Sequence, residues 1–175
     1  MTPQNAFSDA IVQGLLSWGV DVFVHVPSSH IVPVIRGLEE RGVSSLLANR
    51  EEEAVGIAGG LVLGGKKAAV VMQDNGFGNC LTSLATFAKA YHLALPVVAN
   101  TRGGPGEYNA MIHSFSEAVP DLLHAIDVRV ERLTAEGSPL RWREATEAAA
   151  KLATISHRPV VVLADLLHPT VAAAR

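Results

Sequence analysis

The sequence lacks the features of a secreted, membrane or nucleic-acid-binding protein. Its only cysteine is Cys80, which excludes an internal disulfide framework and is expected of a reducing, cytoplasmic compartment. No run approaches the roughly 20 apolar residues of a membrane span. The first residues carry no cationic segment before an apolar core, so we expect no secretory signal. A net charge of −3 without a basic run gives no general attraction for nucleic acid or an anionic membrane.

Charged residues are scarce in this chain. Of its 175 residues, 18% are charged and 49% are hydrophobic, which is enough apolar material to bury a sizeable core. No internal repeat, low-complexity tract or linker divides the sequence, so we expect one domain over residues 1–175. The low charge also suggests that other chains cover part of the surface.

Short apolar segments alternate with helical segments along the whole chain. The predicted strands are Asp21–Val26, Val43–Ala48, Lys67–Gln73, Leu95–Asn100, Val128–Leu133 and Pro159–Leu163. The predicted helices are Pro3–Trp18, Ile31–Glu40, a Glu-rich segment that ends at Gly64-Gly65, Cys80–Tyr91, Ser116–Ala125 and Leu140–Ser156. Asp74–Asn79 and Thr101–Tyr108 are predicted loops. The alternation predicts an α/β fold with a doubly wound, mostly parallel six-stranded sheet flanked by helices.

The most informative segment is Asn49-Arg-Glu-Glu-Glu-Ala-Val-Gly-Ile-Ala-Gly-Gly-Leu61, in which three glutamates begin a glycine-rich helix. One interpretation is purely structural: Asn49 is the N-cap of the helix and Glu52 lies at N3, which approximates a capping box. That interpretation leaves the glycines unexplained, because each one inside a helix costs roughly 0.5–1 kcal/mol relative to Ala. Such a helix is tolerable where another helix, a subunit or a flat cofactor approaches its backbone. A carboxylate held at that contact would handle protons.

Polar segments follow each of the first four predicted strands. They are Pro27–His30, Glu51, Asp74–Asn79 and Thr101–Tyr108. Because ligands of open α/β sheets bind at the carboxyl ends of the strands, we expect these segments to share one crevice. Residues 75–79, Asn-Gly-Phe-Gly-Asn, are either an anion site of backbone N–H groups or a tight strand–helix turn. They lack the third glycine of a dinucleotide fingerprint and the Gly-Lys-Ser/Thr ending of a P-loop.

These motifs, in this order, resemble the pyrimidine-binding (Pyr) domain of thiamine diphosphate enzymes. The similarity is greatest to the α subunits of sulfopyruvate decarboxylase and the corresponding half of phosphonopyruvate decarboxylase. In that family a glutamate begins a helix that reads Glu-x-x-x-x-Gly-Ile-Ala-x-Gly, which residues 51–60 match. Met72-Gln73 and Gly76-Phe-Gly-Asn79 then follow. The resemblance covers about residues 5–165.

The resemblance implies a catalytic role for Glu51. In the family this carboxylate bonds to the aminopyrimidine ring of thiamine diphosphate and promotes the imino tautomer that removes the C2 proton of the thiazolium. Glu52 and Glu53 point elsewhere on the helix and are expected to have capping and surface roles. Phe77 is expected to pack at the cofactor rather than to stack on it. The predicted cofactor-binding residues are Pro27, Glu51, Gly76, Phe77 and Asn79.

Recognition of a 2-oxo acid with an anionic tail requires hydrogen-bond donors or cations. The candidates are Ser28, Ser29, His30, Gln73, Asn75, Arg102 and His113. Similar decarboxylases bind substrate through the turn after the first strand and the loop after the third, which favours Ser29, His30 and Gln73. Arg102 has a donor fork that suits oxyanions, although a solvated loop arginine is the alternative. His30 could equally begin a helix, and His113 could lie in a mobile segment.

Two further side chains allow two interpretations each. His25 lies in an apolar strand, where a hydrogen-bonded core histidine is favoured over a catalytic one. Cys80 follows the start of a helix, where its thiol pKa could fall, but a buried small residue is favoured. The remaining histidines lack zinc-site spacing, and we expect no metal ligand in this chain.

The resemblance also implies a partner. The family binds Mg²⁺ and the diphosphate through a second (PP) domain marked by Gly-Asp-Gly and, later, Asn-Asn. No Gly-Asp-Gly occurs here, and Gly103-Gly-Pro-Gly106 lacks the metal-binding aspartate. A β-type subunit with those motifs is therefore expected to hold Mg²⁺ and the diphosphate, in an α2β2 assembly.

Three functions remain open from the sequence. The first is the Pyr-domain subunit of a 2-oxo acid decarboxylase, with a sulfopyruvate- or phosphonopyruvate-like substrate. The second is the corresponding subunit of an acetolactate synthase-like carboligase. The third is a non-catalytic regulatory subunit with the same fold. The stretch Met111–Val119 lacks a glycine that related decarboxylases carry there, which leaves the identity of the substrate open.

Overall fold

Six parallel strands form the centre of the molecule. A computed structural model describes residues 3–104, 107–134 and 136–167. The strands are β1 (Val22–His25), β2 (Ser44–Leu47), β3 (Ala68–Gln73), β4 (Pro96–Asn100), β5 (Arg129–Leu133) and β6 (Val160–Ala164). The helices are α1 (Pro3–Trp18), α2 (Val32–Glu39), α3 (Glu51–Leu63), α4 (Phe77–Ser83), α5 (Ala110–Ala125) and α6 (Pro139–Ser156).

The strand order is β2-β1-β3-β4-β6-β5, and every neighbouring pair is parallel. The chain winds outward from β1 to β2 and then returns past β1 to β3. A first switch point therefore lies between β1 and β3, and a second between β4 and β6, because β5 lies outside β6. This topology confirms the predicted doubly wound α/β fold. In the described residues, no helix is long and apolar enough to cross a membrane.

One hydrophobic core lies on each face of the sheet. Helices α1, α2 and α6 cover one face, to which Val71 and Val98 point. Helices α3, α4 and α5 cover the other, to which Val70 and Val97 point. The central strands are buried on both faces, which explains their uninterrupted apolar sequence.

Each predicted strand end lies within one residue of the observed end, but two helix starts were wrong by more than one residue. Asp74–Asn79 is not a loop, because Asp74–Gly76 form a 3₁₀ turn and Phe77 begins α4. The segment Leu84–Lys89 that continues α4 is π-helical. Phe77 and Cys80 are fully buried, so their packing outweighs the low helix propensity of the neighbouring glycines. Helix α5 begins at Ala110 rather than Ser116, with Asn109 as its N-cap.

The predicted capping box of α3 was also wrong by one position. The N-cap is Arg50, whose backbone is extended (φ −144°, ψ 155°) and whose side chain makes no capping bond. Glu53 occupies N3, and its Oε2 accepts a hydrogen bond of 2.8 Å from the backbone nitrogen of Asn49. Glu52 instead accepts a hydrogen bond of 2.6 Å from Arg50 Nε. Glu51 is thus the first residue of the helix.

The glycines of α3 divide into two kinds. Gly59 is buried, and a Cβ added there would lie 2.9 Å from Leu93 Cδ1 and closer still to the Phe87 ring. Gly56 and Gly60 are exposed, and an added Cβ would meet no described atom within 4 Å. Contacts with described residues of this chain therefore explain why position 59 is a glycine, but they do not explain the glycines at positions 56 and 60.

We predict that Gly59→Ala destabilises the isolated chain although alanine is the better helix former. Overpacking against Phe87 and Leu93 should cost roughly 1–3 kcal/mol. The matched control is Gly56→Ala, which has open space and should gain roughly 0.5–1 kcal/mol. Urea unfolding of the three proteins measures both effects. Equal stability of the two variants would contradict this account of Gly59.

Candidate functional site

Connections from several strands meet at the carboxyl end of the sheet, beside the switch point between β1 and β3. The turn at Pro27–His30 follows β1, and helix α3 follows β2. The 3₁₀ turn and α4 follow β3. A hydrogen bond joins α3 to α4, and another joins the turn after β1 to the end of β4.

The Glu51 carboxylate lies at the centre of this edge. Asn79 Nδ2 donates a hydrogen bond of 2.7 Å to Glu51 Oε2, which joins α4 to the start of α3. A Cβ added at Gly76 would lie 2.7 Å from Glu51 Cδ and 2.8 Å from Oε1, so the glycine leaves the space that the carboxylate fills. Glu51 Oε1 accepts no hydrogen bond from the residues that the structure describes. The hydrogen bond to Oε2 therefore orients the carboxylate, and Oε1 can accept a proton or a hydrogen bond from an N–H group.

The other predicted cofactor residues differ in their exposure. Pro27 and Asn79 are exposed, and Asn79 contacts Glu51. Phe77 has no exposed surface and packs in the core beneath α3, which leaves no ring face for stacking. Gly76 is buried against Glu51. The members of this set with exposed surface are therefore Pro27 and Asn79, together with the partly exposed Glu51.

The turn after β1 is tied to the end of β4. Ser28 Oγ donates to Asn100 Oδ1 at 3.2 Å, and Ser29 Oγ lies 3.2 Å from His30 Nδ1. Asn100 is fully buried, and its Nδ2 has no hydrogen-bond partner in the described part of the chain. Helix α2 begins at Val32, so His30 precedes the helix rather than beginning it.

Asp74 connects three elements and was missed by sequence reasoning. It is 1% exposed, and burial raises the pKa of its carboxyl group. Its oxygens accept hydrogen bonds from the backbone N–H of Arg102 at 2.8 Å, from Ser116 Oγ at 3.1 Å and from Asn75 Nδ2 at 3.3 Å. Asn75 Nδ2 also donates to Ser116 Oγ at 2.5 Å. The Asn75 amide is therefore hydrogen-bonded within this network. The only feature of the sequence that pointed to the network was an acidic residue directly after a buried strand.

Arg102 is paired with Glu107. Arg102 Nε lies 2.5 Å from Glu107 Oε2, and Arg102 Nη2 donates to Glu107 Oε1 at 2.7 Å. Arg102 Nη1 donates to Gln73 Oε1 at 3.0 Å. The two charged side chains are 5% and 0% exposed, so the interpretation of Arg102 as a solvated arginine was wrong. The hydrogen bonds from Arg102 lower the pKa of Glu107 to about 2. Ion pairs inside a loop have no sequence periodicity, which is why Glu107 was missed.

The three histidine and cysteine interpretations have clear outcomes. His113 lies in α5, with Nε2 3.4 Å from the Glu107 carbonyl oxygen. His25 is buried at the end of β1, where burial lowers its pKa, and its Nδ1 has no hydrogen-bond partner among the described residues. Burial raises the pKa of Cys80 to about 12, which confirms a buried small residue and contradicts an activated thiol. Within the described ranges, no group of three or more His, Cys, Asp or Glu is placed to hold a metal ion.

A cavity of about 700 Å³ lies at the other switch point, between β4 and β6. It shares Asp74, Arg102 and His113 with the network above, but Glu51 is not among its lining residues. We assign the candidate active site to Glu51 rather than to this cavity, because Glu51 is the carboxylate with an open oxygen at the first switch point. Glu51 lies at an open surface, which a second wall would have to cover.

Open parallel α/β domains bind ligands at such a switch point. The family model described as thiamine pyrophosphate enzyme, N-terminal TPP binding domain, matches residues 5–121. The chain belongs to this family, which confirms the family predicted from its sequence. Thiamine diphosphate is the cofactor that the family description names.

Curated relatives match along nearly the whole chain. Subunit alpha of sulfopyruvate decarboxylase from Methanothermobacter thermautotrophicus is 29% identical over 161 residues, which cover 91% of this chain and 94% of the relative. The same subunit from Methanococcus maripaludis is 25% identical over 162 residues, 92% of this chain and 95% of the relative. The subunit from Methanocaldococcus jannaschii is 33% identical over 95 residues, 54% of this chain and 56% of the relative.

A solved structure shares the fold. It is the 2-oxoglutarate:ferredoxin oxidoreductase from Magnetococcus marinus, determined with 2-oxoglutarate, coenzyme A and succinyl-CoA bound. The TM-score is 0.63 at 19% identity, and the match covers 91% of this chain and 28% of that chain. The present chain therefore corresponds to one part of a much longer polypeptide there.

We predict that Glu107 makes the fold sensitive to acid. Its pKa falls from the ordinary 4.5 to about 2 on folding, so it contributes stability above pH 4.5 that is lost as the pH falls toward 2. Glu107→Gln lacks this titration, so its urea midpoint should fall less than the wild-type midpoint from about pH 5 to about pH 2. Glu117→Gln removes a nearby exposed carboxyl group and should follow the wild type. Parallel pH profiles for wild type and Glu107→Gln would contradict the prediction.

Proposed function

We propose that this chain is the α subunit of a two-subunit thiamine diphosphate-dependent decarboxylase. Its substrate would be a 2-oxo acid with an anionic tail, similar to sulfopyruvate or phosphonopyruvate, and its products CO₂ and an aldehyde. The observation that carries the proposal is the Glu51 carboxylate, held through Oε2 by Asn79 and open at Oε1. Support comes from two sulfopyruvate decarboxylase α subunits that match over more than nine-tenths of both chains.

The residues at Glu51 fit the cofactor's aminopyrimidine ring. Thiamine diphosphate, when bound, supplies a carbon nucleophile and an electron sink for the departing CO₂. Glu51 Oε1 would share a proton with a ring nitrogen of the aminopyrimidine, which favours the imino tautomer, and Asn79 would keep the carboxyl group in that orientation. Gly76 supports this geometry, because any larger residue would displace the carboxylate. Pro27 would border the ring, and Phe77 would support the turn from the core.

The substrate would lie between the turn after β1 and the end of β3. We propose Ser28, Ser29, His30 and Gln73 as groups that bind or border it, with Asn75, Arg102 and His113 behind them. The hydrogen bond from Ser28 to Asn100 and the one from Arg102 to Gln73 support this arrangement, because each fixes a polar group at the edge of the crevice.

A β-type partner subunit would hold Mg²⁺ and the diphosphate and would complete the site. Gly56 and Gly60 support this proposal, because both present bare backbone on the outer side of α3. Leu47 and Leu63 lie at the two ends of the segment that contains α3 and are 66% and 65% exposed. An apolar surface of this kind is suited to burial by another chain. An α2β2 assembly is the simplest closed arrangement of the two subunits.

We predict that Glu51→Gln abolishes most turnover of the reconstituted pair. Glutamine keeps the size and one acceptor but cannot take part in proton transfer, so kcat should fall roughly 10²–10⁴-fold. Glu53→Gln, on the exposed side of the same helical turn, is the matched control and should keep wild-type kcat. The assay follows CO₂ and aldehyde release from sulfopyruvate.

The products and rates of that assay also test the alternatives. A ligated hydroxyketone as the main product would favour a carboligase over a decarboxylase. Full turnover with glutamine at position 51 would contradict the catalytic assignment and favour a regulatory subunit.

We predict opposite effects of Gly60→Ala on folding and on assembly. In the isolated chain the variant should gain roughly 0.5–1 kcal/mol, because alanine is the better helix former. Binding to the β-type subunit should weaken about tenfold or more, since a methyl group at a close contact costs roughly 1–3 kcal/mol. Isothermal titration of the two subunits measures the change in Kd. Gly104→Ala adds a methyl group in open space away from α3 and should leave Kd unchanged.

A further inference from the structure

The side-chain amide of Gln73 has a fixed orientation. Its Oε1 accepts the hydrogen bond from Arg102 Nη1 at 3.0 Å. A guanidinium group has only donors, so the Gln73 oxygen must be the atom that faces Arg102. The Nε2 amide group therefore points away from the arginine. Arg102 thus determines which end of the amide is available to a ligand.

Arg102 is itself held in place by Glu107. The guanidinium donates to both Glu107 carboxylate oxygens, in a side-on pair that restricts rotation of both planes. Glu107 Oε1 also accepts from the backbone nitrogen of Asn109 at 3.0 Å. The backbone nitrogen of Arg102 donates to the buried Asp74 at 2.8 Å. Both the main chain and the side chain of Arg102 are therefore fixed.

The position of these groups decides which one a ligand can reach. Gln73 ends β3 and is partly exposed at the carboxyl edge of the sheet. The Arg102 and Glu107 side chains are 5% and 0% exposed. The fork of Arg102 that would bind an oxyanion already holds Glu107. Gln73 is therefore more open to a ligand than the side chains of Arg102 and Glu107, and the donors of Arg102 are already engaged.

We infer that Arg102 and Glu107 are positioning residues that hold the Gln73 amide as a hydrogen-bond donor to an oxyanion of the substrate. This inference rests on the proposed function and assigns Arg102 an indirect role in it. The ion pair restricts the amide before the substrate arrives, so binding does not have to order it. Glu107 affects substrate affinity through two intervening side chains and touches no reacting atom.

The direction of the change in KM distinguishes a positioning role of Glu107 from competition with the substrate and from a purely structural role. In the reconstituted pair with sulfopyruvate, Glu107→Gln should raise KM about tenfold, the loss expected of one weakened hydrogen bond to a charged group, with kcat nearly unchanged. Gln73→Met should raise KM at least as much. Glu117→Gln removes the same charge from an exposed site and should leave KM unchanged.

Two results would overturn the inference. A fall in KM for Glu107→Gln would mean that Glu107 competes with the substrate for Arg102. An unchanged KM with a lower Tm would mean that the ion pair only stabilises the fold. If Glu107→Gln does not fold, Glu107→Asp tests the same point, because its shorter side chain keeps the charge but cannot hold both Arg102 nitrogens, so KM should rise by a smaller factor.

A second measurement needs neither turnover nor a partner. The sequence has three glutamines, Gln4, Gln13 and Gln73, so the side-chain amide signals of the ¹⁵N-labelled full chain can be assigned with Gln73→Met. ¹⁵N relaxation should show a rigid Gln73 amide in the wild type and a mobile one in Glu107→Gln, with Gln13 unchanged. A mobile wild-type Gln73 amide would overturn the inference. Failure of the proposed decarboxylase activity would leave this result readable.

Discussion

All six strands run in one direction, and this constraint brings the candidate side chains to a single edge of the sheet. In a parallel sheet, every strand–helix connection that follows a strand begins at the same edge. Because α2 follows β1 on one face of the sheet and α4 follows β3 on the other, a crevice opens between β1 and β3. Glu51 and Asn79 come from different connections, and their hydrogen bond is possible only while the registers of β1, β2 and β3 hold.

The same edge contains buried charges, and their complete pairing explains why they are tolerated. Removing a charged group from water is costly unless its partners replace the lost solvation. Arg102 has Glu107 and Gln73 as partners, and Asp74 has three donors, from the 3₁₀ turn after β3, from α5 and from the segment after β4. A fully paired buried network is rigid. Arg102 and Glu107 therefore have fixed positions beside the end of β3, although neither lies in a helix or a strand.

The sequence predicted the strands closely and the starts of helices poorly, for a physical reason. A buried parallel strand is an apolar run between turn residues, and that signal is local. Helix starts depend on competition between local propensity and tertiary contacts. Phe77 is drawn into the core, so α4 begins within a glycine-containing stretch that reads as a loop. The position of Glu51 at this edge was predictable because it begins the helix after a predicted strand, whereas the pairing of Arg102 with Glu107 depends on tertiary structure.

The glycines of α3 support the presence of a second chain independently of the sequence resemblance. Position 59 requires a glycine because Phe87 and Leu93 of the same chain fill the space beside it. Gly56 and Gly60 lower helix stability by roughly 0.5–1 kcal/mol each, and no described atom of this chain lies close enough to need their missing side chains. The helix that carries them begins at Glu51, whose Oε1 is open. A partner that approached the bare backbone would also exclude water from that carboxylate. The same contact would then explain why α3 contains two glycines that lower its stability and would support the proton transfer proposed for Glu51.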